Sequence, residues 1–386
     1  MISEQTKELE HSSPILNVNK VNVITSKCSP SYLMNFGGSV RVNPTGVAIL
    51  CGVIILLVYL NGGGGGGKFR DRTSLKTSGS GQTVNLKELL AVAISAAEAG
   101  GREVKAVRKE ADIGETSKGK TREGANDPKT DGDMRSHVQM YYGIKKAFPT
   151  IQIISEEHDE TEVDLTKVQN PSLTNTEVDQ KLNHIMIEVP ADDVAVWIDP
   201  LDATQEYTEK LLQYVTTMVC VAVKGVPTIG VIHKPFANES QTSWGWADQN
   251  VVSKSVEEAA ANNKNVKPDL SKARIIVSRS HTGDVKEKAE KTLGSGITVT
   301  PAGGAGYKSL EVVKGTQDAY IHTTLIKKWD ICAGNAILNA LGGKQTTLKG
   351  DEIEYDRADQ ERNEGGLLAT MHSHDQFLEK LKELQS

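Results

Sequence analysis

The sequence predicts an α/β layered sandwich of the mixed α+β kind, with sheets and helices stacked across two subdomains behind one N-terminal membrane span. Three observations carry this prediction. Helix-patterned and strand-patterned segments mix without regular βαβ alternation, which points to layered sheets. The strongest strand signals fall together in VAVWI, VTTMVCVAV, PTIGVIHKP and TSWGWA, separated by turn residues. Ahead of them lies a stretch without charge between positions 42 and 67.

The chain has 386 residues and a net charge of -6, enough for one large or two moderate domains with a real core. Only 5% of residues are aromatic and no long basic block occurs, which argues against nucleic acid as a partner. An acidic chain still binds phosphate if a metal supplies the positive charge. The four cysteines, Cys28, Cys51, Cys220 and Cys332, show neither CxxC nor finger-like spacing. They predict no disulfide framework and no zinc site, and Cys220 and Cys332 read as small buried residues.

Residues 1–45 read as a polar tail. The run 46–60, GVAILCGVIILLVYL, is almost wholly apolar. At about 1.5 Å per residue it spans roughly 22 Å as a helix, so it needs its flanks to cross a ~30 Å hydrocarbon core. It suits a thin, early-secretory membrane. We read it as a transmembrane signal anchor. A cleaved signal peptide is the alternative, favoured if synthesis starts at Met34. Residues 61–82, with glycines 62–67, read as a Gly/Ser-rich linker, and a folded domain fills 83–386. Lys27 and Arg41 precede the span while Lys68, Arg70, Arg72 and Lys76 follow it, so charge bias alone would leave the domain in the cytosol. The sequon Asn238-Glu239-Ser240, in a turn-like stretch, argues the opposite way.

Within the domain, LKELLAVAISAAEAGGREVKAVRKE has helical apolar spacing, a Lys/Gly-rich loop covers 117–129, and a second helix covers 134–148. IQII is a short strand ending at Glu156-Glu157, and 161–190 is an acidic insertion with little strand signal. After the central strands come ARIIVSRS, a PAGGAG turn, a helix over 307–314, the strand AYIHTT, a helix over 329–341, the run GGLLAT and a final polar helix.

Carboxylates recur where strands end or helices begin: Asp133, Glu156, Asp199, Asp202 and Asp330. Taken singly each is a turn residue or an N-cap. Together they pose a problem, because half-buried carboxylates are costly unless something cationic gathers them. A hard divalent ion, which takes oxygen ligands, is the economical collector. In DPLD the proline stiffens the turn, so Asp199, the Leu201 carbonyl and Asp202 can face one point. Magnesium keeps open positions for water and phosphate oxygens, which suits phosphoryl transfer.

The ordered set of 130–133, Ser155-Glu156-Glu157, DPLDAT at 199–204 and WDICA at 329–333 resembles a family of phosphomonoesterases. These are the lithium-sensitive, magnesium-dependent enzymes, including inositol monophosphatase, 3'(2'),5'-bisphosphate nucleotidase and fructose-1,6-bisphosphatase. The resemblance runs over the whole of 84–381 and implies an αβαβα sandwich. It implies Mg2+ ligation by Glu156, Asp199, the Leu201 carbonyl, Asp202 and Asp330, with two ions bound and a third, weaker one near Asp133. It also implies inhibition by Li+, and direct attack by a water that Asp133 and Thr204 orient and deprotonate, with no covalent phosphoenzyme. Ala203 stands where much of the family has glycine.

SKGKTREGA, WIDPLDATQEYTE, GVIHKPF, PAGGAGYK and IKKWDICAGNAIL are similar to the Golgi-resident nucleotidase branch of that family. This implies a single-pass type II protein with a luminal domain, acting on adenosine 3',5'-bisphosphate left behind by sulfotransferases. Ser280, His281 and Lys308 resemble positions lining the nucleotide pocket, with Lys308 opposite the 5'-phosphate. The turn containing Gly303, Gly304 and Gly306 offers backbone N–H groups to a phosphate, or room for an adenine. An inositol phosphate phosphatase is the rival within the same chemistry, and a tethered scaffold with a dead site is the rival outside it.

Overall fold

The structure, a computed structural model, describes residues 32–35, 39–42 and 81–382, apart from 121–125, 160–161, 239–240, 262, 264–266, 280–284 and 357. The chain falls into two compact units, Met1–Leu75 and Lys76–Ser386. In the first, Tyr32–Asn35 pairs antiparallel with Ser39–Val42, within the stretch that composition read as an unpatterned tail. The 46–60 run and the glycine linker lie outside the described residues. Among the described residues, no helix is long and apolar enough to cross a membrane.

The second unit opens with helix α1 (Leu86–Val107), capped by the Asn85 side chain, which accepts from the backbone N–H groups of Lys87 and Glu88. A hairpin of β1 (Thr116–Lys120) and β2 (Asn126–Lys129) occupies the Lys/Gly-rich stretch read as a loop. Helix α2 (Asp131–Ala147) starts three residues before its expected position. Thr130 and Asp133 form a capping box that draws Asp131 and Gly132 into the first turn.

Strand β3 (Gln152–Ser155) runs parallel to β4 (Val194–Asp202), which short helix α3 (Thr204–Thr208) follows directly. An antiparallel meander continues through β5 (Thr216–Val223), β6 (Val226–Lys234), β7 (Gln241–Trp246) and β8 (Val251–Val252). The six-stranded sheet has the order β8-β7-β6-β5-β4-β3. All nine residues of β4 are buried, yet the two-residue alternation of a strand persists. Val196 and Ile198 face α1 and α2 with Leu89, Val92 and Met140, while Trp197 faces the opposite way.

The 161–190 insertion is tied down against the first helices. It contributes a helix at Thr176–Lys181, with Val178 and Leu182 buried, and a short strand Glu188–Pro190 paired with Thr83–Asn85.

The second sheet contains β9 (Arg274–Ser278) and β10 (Thr298–Ala302), after which α4 (Ala305–Lys314), β11 (Ala319–His322), α5 (Lys328–Ala340), β12 (Lys344–Thr346) and β13 (Leu367–Thr370) follow. Its order is β10-β9-β11-β13-β12, with β10, β9 and β11 parallel and β13 antiparallel to both its neighbours. Ile276, Tyr320, Leu367 and Ala369 share one core with α4, α5 and the inner face of the first sheet. Ile275, Val277, Ile321 and Leu368 pack on the outer helices Val285–Leu293 and His374–Leu381. The layers therefore run helix, sheet, helix, sheet, helix. Because both sheets bury a face on the same middle helices, this unit is one body and not the two subdomains that strand mixing suggested.

Cys220 on β5 and Cys332 on α5 are buried, as their small apolar character predicted, but they are joined in a disulfide across 112 positions. This corrects the expectation of unpaired thiols. Spacing along the chain says nothing about two cysteines that meet only when a helix lies on a sheet.

Candidate active site

On a regular strand, residues three apart point to opposite faces. Asp199 and Asp202 escape this because the β4/β5 register shifts between them: Asp199 lies opposite Met218 and Asp202 opposite Thr216, so three steps on β4 match two on β5. The extra residue is a bulge, which turns both carboxylates toward the same end of the sheet. The Leu201 N–H donates to Asp199 Oδ1 at 3.1 Å, closing the turn. Ala203 then takes φ 71°, the left-handed conformation that favours glycine. This accounts physically for the glycine found there in much of the resembling family.

Glu156 follows β3, which is parallel to β4, so it arrives at the same sheet end. Asp330 comes from the first turn of α5. Glu156, Asp199 and Asp330 offer oxygens that all lie within 4.8 Å of one another. Asp199 is buried and the other two are half-buried. Burial first, and then their neighbours' negative charge, pushes all three above the usual carboxylate range, Asp199 and Asp330 the furthest. A hard divalent cation suits this donor set: acid oxygens only, clustered and held by three separate elements.

Asp202 lies outside that tight group but faces the same cavity. Its carboxylate accepts from the backbone N–H groups of Ala305 (3.0 Å) and Gly306 (2.8 Å) and from the Thr216 hydroxyl (3.0 Å). Burial raises its pKa, and Lys308 and those N–H groups oppose the rise. The glycine turn therefore gives two of its N–H groups, those of Ala305 and Gly306, to Asp202, while the sequence expectation offered N–H groups to a phosphate or space to an adenine. Its glycines are there for close approach: a Cβ at Gly303 would sit 2.4 Å from the Glu206 carboxyl carbon, and one at Gly306 would sit 2.6 Å from Met218 Sδ and Thr216 Oγ1. Gly304 has φ +66°.

Asp133 is fully buried beside this cluster. Its Oδ2 accepts from the Thr130 N–H (2.7 Å) and hydroxyl (2.6 Å), while Thr204 Oγ1 lies 3.0 Å from its Oδ1 and 3.0 Å from the Leu201 carbonyl. Burial pushes the Asp133 carboxyl up to about 7, with the Thr130 hydrogen bond opposing it. A carboxylate paired with a threonine hydroxyl at this position can pass a proton from water to acid.

Lys118, on hairpin strand β1, places its ammonium 2.8 Å from Glu156 and in contact with Glu157, which Lys129 also approaches at 3.4 Å. Burial works against the Lys118 charge, but the two glutamates hold its pKa well above the ordinary lysine value. The sequence flagged this loop only as Lys/Gly-rich; the lysine spacing in SKGK was the available signal.

Lys308, expected opposite a 5'-phosphate, is part of the cavity wall. It is 3% exposed, donates to the Gly304 carbonyl at 2.7 Å and lies over the Tyr320 ring. At the rim, Arg279 bridges Glu206 (3.2 Å) and Glu209 (2.6 Å), a trio that sequence alone did not isolate. Ser280 and His281 lie outside the described residues. Asn238 is exposed in the turn between β6 and β7.

Of these groups, Lys118, Glu156, Asp199, Asp202, Thr204 and Asp330 line an open cavity of about 1190 Å³ together with Arg279, Gly304 and Lys308. Its volume accommodates a nucleotide-sized ligand.

The sequence model of the inositol monophosphatase family matches residues 85–386. The Golgi-resident adenosine 3',5'-bisphosphate 3'-phosphatase of Mus musculus is 46% identical over 90% of this chain and 98% of its own. Inositol monophosphatase 3 of Danio rerio is 45% identical over 86% of this chain and 93% of its own. Among solved structures, an inositol monophosphatase from Anabaena superposes with a TM-score of 0.51 at 22% identity, covering 77% of this chain and 96% of that one. At that identity the likeness concerns the fold.

Proposed function

From the premise that the chain belongs to the inositol monophosphatase family, as its sequence match over 85–386 shows, we propose that it hydrolyses the 3'-phosphate of adenosine 3',5'-bisphosphate to AMP and phosphate. The observation that carries the chemistry is the Asp133–Thr204 hydrogen bond beside the Glu156, Asp199 and Asp330 cluster. The relatives named as Golgi-resident 3'-phosphatases, 46% identical to this chain, support the substrate.

The metal ions, magnesium on this proposal, would be held by Glu156, Asp199, the Leu201 carbonyl, Asp202 and Asp330, and supply Lewis-acid stabilisation of phosphoryl charge. The chain's own residues do the rest. Thr204 gives its proton toward Asp133 Oδ1 and presents its oxygen to the attacking water. Thr130, by hydrogen-bonding Asp133 Oδ2, fixes which carboxylate oxygen faces Thr204. The Ala305 and Gly306 N–H groups hold Asp202 in place, and Lys308 offsets part of the negative charge beneath the substrate. Asp133 must be ionised to act as base, so activity rises as pH increases through its pKa.

Residues 46–60 form the anchor on this proposal, with the folded unit in the Golgi lumen, clearing the product of sulfotransferases. The exposed Asn238, first residue of the sequon, and the disulfide support the luminal side, since disulfides persist in oxidising compartments. Replacing Asn238 by Gln should abolish an endoglycosidase-sensitive mobility shift; no shift in the wild type would remove that support.

The 76–386 unit should release phosphate from adenosine 3',5'-bisphosphate with Mg2+, lose activity on chelation, and slow with Li+. A stronger rate on inositol 1-phosphate or inositol 1,4-bisphosphate would move the substrate to the second reading. That reading rests on the relatives named inositol monophosphatase 3, which are about as similar to this chain. No hydrolysis of any of these would overturn the enzyme.

A further inference from the structure

We propose that the Cys220–Cys332 disulfide is a positioning device for the cation site: it fastens the helix carrying Asp330 to the sheet carrying Asp199. The inference rests on those two carboxylates being cation ligands, as proposed above.

Asp330 and Cys332 are two residues apart on α5, and at about 100° per residue their side chains leave the helix on nearly opposite sides. Asp330 lines the cavity, and Cys332, fully buried, reaches down to the sheet. Its partner Cys220 sits in the middle of β5, opposite Trp197 of β4 and Gly230 of β6. Two residues along the same ladder, Met218 pairs with Asp199. The covalent link therefore joins α5 to the strand hydrogen-bonded to the one bearing Asp199.

The helix lies close against the sheet at this row. A Cβ on Gly230 would come within 2.1 Å of the Ala333 carbonyl oxygen, so Gly230 removes the side chain that would hold α5 off the sheet. Packing and the disulfide thus act at one place, a single turn from Asp330.

A device is needed because the site repels itself. Glu156, Asp199 and Asp330 converge within 4.8 Å, and like charges so close in a poorly solvated site push apart. Glu156 directly follows β3 and Asp199 lies on β4, two paired strands, but Asp330 comes on a helix from outside that sheet, which can recoil from both. The bond limits that recoil, so the three oxygens are already gathered when a cation arrives. Preorganisation of this kind raises affinity by removing the cost of ordering.

Forming the link removes two protons and two electrons from two thiols. The acceptor is a disulfide donor, itself reduced to a dithiol, of the kind found in secretory compartments. Both sulfurs are then shielded, with Cys220 1% and Cys332 0% exposed. Reductants reach the bond only after α5 lifts.

The test uses the full chain expressed in a secretory pathway and purified without reductant. Mass mapping after alkylation in denaturant without reductant should find Cys220 and Cys332 unmodified and joined; two alkylated thiols would overturn the proposal. In the Cys220→Ala/Cys332→Ala double variant, calorimetric titration with Mn2+ should show affinity weakened by about ten-fold or more, while KM for the nucleotide changes little. Unchanged Mn2+ affinity in a folded double variant would overturn it. If that variant does not fold, hydrogen exchange on gently reduced wild type substitutes: the first turn of α5 should exchange faster than in the oxidised form, and equal protection overturns the device. Mn2+ binding that Asp199→Asn leaves intact would sink the site reading instead, without touching the mapping or exchange results.

Discussion

At the scale of single residues, the site is defined by carboxylates that are hard to keep charged. Asp199→Asn should abolish turnover while raising the melting temperature of the metal-free protein, because it removes one of three mutually repelling groups; an active variant would overturn the ligand assignment. The pH dependence has a definite sign. The Asp133 carboxyl is raised from 3.8 to about 7, so between those values the native state binds more protons than the unfolded state. Stability of the metal-free protein therefore falls as pH rises through that window, and the loss is complete above about 7. The raised Glu156, Asp199, Asp202 and Asp330 act in the same direction. Thermal melts from pH 5 to 8 with and without Mg2+ check this: the metal should stabilise most at high pH, and a metal-free protein that gains stability with pH would contradict it. Thr204→Ala should lower kcat by about 10²–10⁴-fold, with Thr204→Ser recovering much of it, as a positioned hydroxyl requires. The carboxylates were legible in the sequence because each sits where a strand ends or a helix begins, whereas Thr204 was legible only through the family resemblance. Lys118 was not, since nothing along the chain says that a lysine 38 positions before Glu156 folds back onto it.

At the scale of elements, what counts is how closely backbones approach. Gly230→Ala should destabilise near or above the top of the usual range for overpacking, roughly 1–3 kcal/mol, because the clash is with the backbone oxygen of Ala333 and not with a side chain that can turn away. Denaturant titration reads the loss, and a neutral result would mean that α5 lies higher than described. Ala203 offers the opposite case. Its left-handed backbone costs about 1–2 kcal/mol in a residue with a side chain. Ala203→Gly should therefore be neutral or slightly stabilising, where the same change inside a helix costs about 0.5–1 kcal/mol. Helices and strands were readable from their periodicities, but the β4 bulge was not. A bulge is a property of two strands in register, and Asp199-Pro200-Leu201-Asp202 has no period of its own. The early start of α2 has a related cause: Thr130 and Asp133 cap each other's backbone, and a reciprocal cap leaves no periodicity in the sequence.

At the scale of the whole molecule, the layering follows from the need of both sheets to bury a face, and α4 and α5 serve the two at once. The sequence displayed the mixture of elements but not this sharing, because sharing depends on which faces meet. The site lies where the sheet ends and the middle helices converge, so its parts come from positions as far apart as Lys118 and Asp330. Strand order adds a temporal consequence. The second sheet is completed by β13, which ends at Thr370 and slips between β11 and β12, two strands made earlier that have no pairing to each other. Until the ribosome has delivered that last strand, the half-built sheet exposes two open edges and α5 has no finished surface beneath it. A growing chain thus stays inert, and exposed to chaperones, until β13 has been made. A premature stop even slightly before position 367 should leave no partially active product.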